Sequence, residues 1–140
     1  MELTRNSLET NPGPSEWFTG SVYIDTITAP SVASPIGAAA VHFTPGARTA
    51  WHSHDRGQLL MVEEGRMRAQ QRGQPIKEFG AGESEYTAPN VVHWHGAAAG
   101  QALVQLNVGF GGGAKWFEDV SDAEYLKARQ PRTRMSQPAW

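Results

Sequence analysis

Apolar and polar positions alternate with a period of two along most of this chain, and almost nowhere with a helical period. In 17–27, Val22, Ile24 and Thr26 alternate with Tyr23 and Asp25; in 37–43, Ala39, Val41 and Phe43 alternate with Ala40 and His42. In 101–108, Leu103, Gln105 and Asn107 occupy one face of a predicted strand, and Val104, Leu106 and Val108 the other. Leu59 to Val62 is continuously apolar and reads as a buried strand; Glu64-Gly65 reads as a hairpin turn into a polar returning strand over 66–71. Shorter strands are predicted at 49–54, 76–79, 83–87 and 91–96. Between them stand Pro45-Gly46, Arg72 to Pro75, Gly80 to Gly82, and Ala88-Pro89-Asn90, where Asn90 suits a left-handed turn position. One helix is expected. Ser121-Asp122-Ala123-Glu124 is a capping box, continued briefly to Arg129. The pattern predicts an all-β barrel or sandwich of roughly nine or ten strands with a short C-terminal helix, over 17–129. It is flanked by a loose polar arm, 1–16, available to a partner subunit, and a tail, 130–140, with no core pattern.

Composition narrows the classes of function. Fifteen glycines and nine prolines in 140 residues agree with many tight turns in one domain. A net charge of −2 supplies no general attraction to nucleic acid or to an anionic membrane. With no cysteine there is no disulfide, no zinc–cysteine site and no thiol nucleophile. No apolar run has the length of a signal peptide or a membrane span, so the expectation is a soluble cytoplasmic protein.

The candidate chemistry is concentrated in Gly46–Gly65. His52 and His54 share one face of a predicted strand, and Gln58 follows after the polar break Asp55-Arg56-Gly57. A second His-x-His, His93-Trp94-His95, repeats the spacing. Three neutral imidazoles and an amide oxygen, from His52, His54, His93 and Gln58, suit a divalent Mn, Fe, Co, Ni or Zn ion better than Ca or Mg. No ligand in that set carries charge. The site keeps the full charge of the ion, attracts anions and acts as a Lewis acid on a hydroxyl or carbonyl oxygen. His95 lies on the face of His93 and can stand beside the metal as acid or base. The small residues Ala39 and Val41 leave room for a ring-shaped substrate. His42 reads as a structural or surface histidine, and Trp51 and Trp94, on the opposite face to the histidines, read as packing.

These spacings resemble the cupin motifs. The first is matched by Gly46, His52, His54, Gln58 and Gly65, with Gln in place of the usual Glu; the second is matched more loosely by Gly82, Pro89 and His93, with Ala97 where Asn is usual. The resemblance implies a small β-barrel, or jelly roll, holding a metal. Pro45–His54, Gly57-Gln58, His93–Ala97, Trp17–Gly20 and the segment from Trp116 to Asp122 further resemble small cupins described as manganese-dependent hydroxynitrile lyases. That likeness implies His52, His54, Gln58 and His93 as ligands of Mn2+, with Fe2+, Ni2+ and Zn2+ as alternatives. It also implies His95 as catalytic base, Thr49 in the substrate pocket and assembly as a homo-dimer or tetramer. The implied reaction cleaves or forms an aromatic cyanohydrin, a small-molecule substrate. Gln105 stands in the pocket where those lyases carry a further histidine, and an amide cannot shuttle a proton. Dioxygenase or isomerase chemistry, or anion binding without turnover, are the alternative readings.

Overall fold

The computed structural model describes residues 1, 3 and 9–132. Twelve strands and one helix follow in chain order: β1 Thr10–Pro12, β2 Phe18–Thr19, β3 Val22–Thr28, β4 Gly37–Phe43, β5 Arg48–Thr49, β6 His52–His54, β7 Gln58–Gln71, β8 Lys77–Gly80, β9 Ser84–Thr87, β10 His93–Ala97, β11 Leu103–Gly109, β12 Ala114–Trp116 and α1 Asp122–Tyr125. Every strand pairing between them is antiparallel. The order β1-β3-β4-β11-β7-β10-β5-β2 curls into the expected all-β barrel.

The strand β7 joins the two halves of that barrel. Its first part pairs with β11 and β9, and its last part with β10 and β8. The hairpin turn expected at Glu64-Gly65 does not exist; one strand continues through those residues, bent by a bulge. Opposite them the register slips: Val104 faces Glu64 while Gln105 faces Val62, leaving Glu63 as the extra residue of a β-bulge. The bulge shifts the alternation by one. Gln58, Leu60 and Val62 before it are buried, and so are Met67 and Ala69 after it. Gly65, at φ 84°, turns the chain there, and a Cβ on it would collide with the Ala102 carbonyl.

The core between the two sheets gathers Val22, Val41, Phe43, Leu60, Val62, Met67, Ala97 and Leu103. Burying each Val, Leu, Phe or Met side chain contributes about 1.5–3 kcal/mol. A second cluster, Trp51, Ile76, Trp94, Val120 and Tyr125, lies on the outer side of β10. Trp51 and Trp94 thus pack as expected, and Trp94 Nε1 donates to Gln70 Oε1 at 2.9 Å.

Helix α1 starts where expected, with Ser121 Oγ accepting from the Glu124 N–H at 3.1 Å, but it ends at Tyr125 rather than near Arg129. The chain leaves to bridge Arg129 to Ile76, where Gln130 N donates to the Ile76 carbonyl at 2.7 Å. A helix this short has no stability of its own. It is held by buried Tyr125 and by Arg48, whose guanidinium donates to the Val120 carbonyl and to Asp122 Oδ1 and lies 4.5 Å above the Tyr125 ring.

The N-terminal segment departs from expectation. Of the arm expected over 1–16, residues 2 and 4–8 lie outside the described residues; Thr10–Pro12 is not loose but pairs with β3, and the Thr10 hydroxyl donates to Asp25. The expected strand 49–54 is also broken at Ala50 and Trp51. Their N–H groups bond the carbonyls of Trp17 and Glu118 rather than a ladder partner. Asn90 has φ 64°, the left-handed conformation expected of it. The tail expected over 130–140 lies outside the described residues from 133 onward. Among the described residues no helix is long and apolar enough to cross a membrane.

Candidate metal centre

Sheet register carries the distant histidines to one place. His93 on β10 pairs directly with His52 on β6, which sets the two rings 4.3 Å apart between centroids. Alternation along β6 brings the His54 ring to 5.0 Å from His52, and alternation along β10 brings His95 to 5.3 Å. Gln58 opens β7 after Gly57, at φ 78°, turns the chain; a Cβ there would sit 2.7 Å from the Thr87 carbonyl. His52, His54, His95 and Gln58 line one cavity, and His93 packs against His52 behind it. The tightest group is His52, His93 and His95, with a ligand atom of each within 4.8 Å of the others; His54 and Gln58 stand beside it.

Hydrogen bonds fix which ring nitrogens are available. His52 Nδ1 is 2.9 Å from the Ala50 carbonyl, and His93 Nδ1 is 2.9 Å from the Val91 carbonyl. A carbonyl only accepts, so both rings donate from Nδ1 and keep the lone pair on Nε2, the arrangement a metal-ligating imidazole needs. Among the described residues, His54 Nε2, Gln58 Oε1 and His93 Nε2 are buried with no hydrogen-bond partner. Leaving three such atoms unpaired is costly, unless something that accepts lone pairs sits between them. Unpaired imidazole nitrogens and an amide oxygen are the donor chemistry a divalent transition ion takes, and three of the histidines lie close enough together to hold one.

Burial keeps these rings neutral. It pushes the His93 pKa down to about 4, with the nearby His54 adding to the effect and the Val91 carbonyl opposing it. For His52 and His95 burial again lowers the pKa well below the usual imidazole range, and the neighbouring histidines push the same way. His54 is lowered by burial against the opposing Gln58 amide and Asp55 carboxylate. Neutral imidazole is the ligating form.

A cavity of about 270 Å³ opens over the histidines. Its polar side is Thr49, His52, His54, Gln58, His95 and Asn107, and its apolar wall includes Ile24, Ala39, Val41 and Phe43. Ala39, Val41 and Thr49 thus line the pocket, and the Thr49 hydroxyl also accepts from the His95 backbone N–H at 3.2 Å. Gln105 is placed differently from expectation. It is fully buried, forms no part of the cavity lining, and reaches instead to His95 Nδ1 at 3.0 Å and Asn107 Oδ1 at 2.6 Å. His42 is apart from the site, paired with Asp25 at 2.9 Å.

Sequence reasoning missed the aromatic rim. Pro14, Trp17, Phe18 and Trp116 complete the lining. Trp17 stacks on Trp116 at 4.9 Å, and Trp116 stacks on His52 at 4.6 Å. Alternation from Val22 and Val41 pointed to Ile24 and Phe43, but no local signal marks Trp116. It is placed by the pairing of β12 with β6, strands separated by half the chain.

Comparison with known proteins agrees with this barrel and its histidine cluster. The cupin domain family matches residues 39–109. A protein named (R)-mandelonitrile lyase, from Granulicella tundricola, is 39% identical over 131 residues, covering 91% of this chain and 100% of its own length. The structure of a cupin-like protein from Thermotoga maritima superposes with a TM-score of 0.81 at 36% identity, covering 93% of this chain and 98% of that one. A polyketide cyclase from Streptomyces resistomycificus shares the fold, at a TM-score of 0.67 and 20% identity over 89% of each chain. The chain belongs to the cupin family, and its barrel carries three histidines able to hold a metal ion.

Proposed function

We propose that this cupin is a metal-dependent carbon–carbon lyase of the hydroxynitrile lyase type, acting on an aromatic cyanohydrin such as mandelonitrile. The observation that carries the reading is the two-sided cavity. One side offers unpaired imidazole and amide donors, and the other an apolar wall facing a space of about 270 Å³. A small aromatic molecule with one polar carbon centre matches that division: ring against Val41, Ile24 and Phe43, oxygen toward the histidines. The relative named (R)-mandelonitrile lyase supports the same substrate class.

His52, His54, His93 and Gln58 would hold the divalent ion, Mn2+ foremost, and the ion would supply Lewis-acid polarisation of a hydroxyl or carbonyl oxygen. The chain's own residues do the rest. Ala39 and Val41 leave space for the ring, the Thr49 hydroxyl holds the β10 backbone at His95, and His95 carries the proton exchanged with the substrate. The apolar wall and aromatic rim exclude water, so charge developing at the substrate oxygen is stabilised by fixed groups rather than by solvent.

The test combines the purified protein, loaded in turn with Mn2+, Fe2+, Ni2+ or Zn2+, with benzaldehyde and cyanide at mildly acidic pH. The expected result is mandelonitrile in clear enantiomeric excess with at least one metal, lost on chelation. A racemic product at the uncatalysed rate with every metal would sink the reading.

A further inference from the structure

Gln105 has no side-chain contact with the cavity, yet it is completely buried and bonded to the one histidine assigned to proton transfer. Its Nε2 lies 3.0 Å from His95 Nδ1 and 2.6 Å from Asn107 Oδ1, while its Oε1 is buried without a partner. An amide nitrogen has two hydrogens, and both are used in this arrangement. Turning the amide over would direct Oε1 at His95 and leave both N–H groups in the partnerless position. Buried orphan N–H groups are rarer than buried orphan carbonyls, so the orientation with Nε2 toward His95 is favoured.

We propose that Gln105 is a positioning residue that fixes His95 as its Nε2–H tautomer, so that His95 offers the cavity a hydrogen-bond donor and stays off the metal. His95 Nδ1, accepting from Gln105, has its lone pair occupied; Nε2, carrying the hydrogen, has none to give. Neither nitrogen can ligate. This resolves the ambiguity of the cluster, in which His95 lies within ligand distance of His52 and His93. The third nitrogen falls to His54, whose Nε2 is unpaired. The inference deepens the proposed lyase site: in the resting state the neutral His95 ring meets the substrate as a hydrogen-bond donor through Nε2–H.

The deciding measurement is a long-range 1H–15N correlation spectrum of Zn2+-loaded protein, labelled with 15N in histidine, with His95 assigned from the signals lost in His95→Ala. The expected pattern is an unprotonated Nδ1 and a protonated Nε2. In Gln105→Glu the carboxylate accepts from Nδ1–H, and the two nitrogens exchange roles with one zinc retained per chain. A protonated Nδ1 in the unmodified protein, or an Nε2 with the shift of a zinc-bound nitrogen, overturns the proposal. So does a Gln105→Glu variant that folds and keeps the original pattern; if that variant does not fold, the unmodified protein's spectrum decides alone. The spectrum requires no turnover, so failure of the lyase reading would leave this test intact.

Discussion

Trp116 lies directly opposite His52 on the paired strands β12 and β6, and its indole stacks on the imidazole at 4.6 Å with 24° between the planes. On its other face Trp17 stacks at 4.9 Å, so a column of three rings runs from the protein surface to a candidate ligand. Trp116→Ala removes the middle ring. We expect a loss of about 1–3 kcal/mol in stability, below that of a fully buried Trp because Trp116 is half-buried. Urea denaturation measures it, and a weaker KM for an aromatic substrate should accompany it if the column forms the pocket wall.

His54→Ala should abolish stoichiometric metal binding, because it removes an unpaired buried nitrogen from the donor set. Metal analysis after dialysis checks this directly. Added Mn2+ should raise the Tm of the unmodified protein by mass action and leave that of the variant unchanged.

Gln58→Glu should tighten metal binding by placing a negative charge where the neutral amide oxygen now points. The same change lowers the net positive charge at the site, so inhibition by small anions such as azide should weaken. Equal anion inhibition in both proteins would contradict the cationic site described above.

His95→Ala should lower kcat for cyanohydrin formation on the order of 10²–10⁴-fold, the usual contribution of a positioned acid or base. Metal content should stay unchanged. Loss of metal together with activity would instead make His95 a ligand.

The metal-free protein should weaken in mild acid. His93 binds its proton with a pKa of about 4 when folded, against 6.5 as its ordinary value. Between those values the unfolded chain binds more protons, so stability rises with pH across the window and falls as pH drops from 6.5 toward 4. For His93 alone the loss is on the order of 3 kcal/mol. Buried His52 and His95 are shifted in the same direction and add to it. Urea midpoints of the apoprotein from pH 7 to pH 4 should trace the decline, and a flat profile would contradict it.

Much of this was legible along the chain because its information is local. Alternation of Ala39, Val41 and Phe43, or of Leu103 and Gln105, records which side chains face inward, since a strand's side chains switch faces at every residue. The paired His-x-His spacings likewise place imidazoles on common faces. Even the helix start is local, a serine hydroxyl meeting an N–H three residues on. The Glu64-Gly65 turn misled for a physical reason: a left-handed glycine serves a hairpin and a bulge equally well, and only the partner strand decides between them.

The sequence by itself determined an all-β cupin barrel and a candidate site at His52, His54, Gln58 and His93, because periodicity and motif spacing are properties of neighbouring residues. Tertiary structure decided what surrounds that site. Thr10–Pro12 joins a sheet, Trp116 stacks on His52, and Gln105 withdraws from the pocket to bond His95. Each depends on strand register between segments far apart in sequence, and register is set by the packing of the whole barrel rather than by any residue's neighbours.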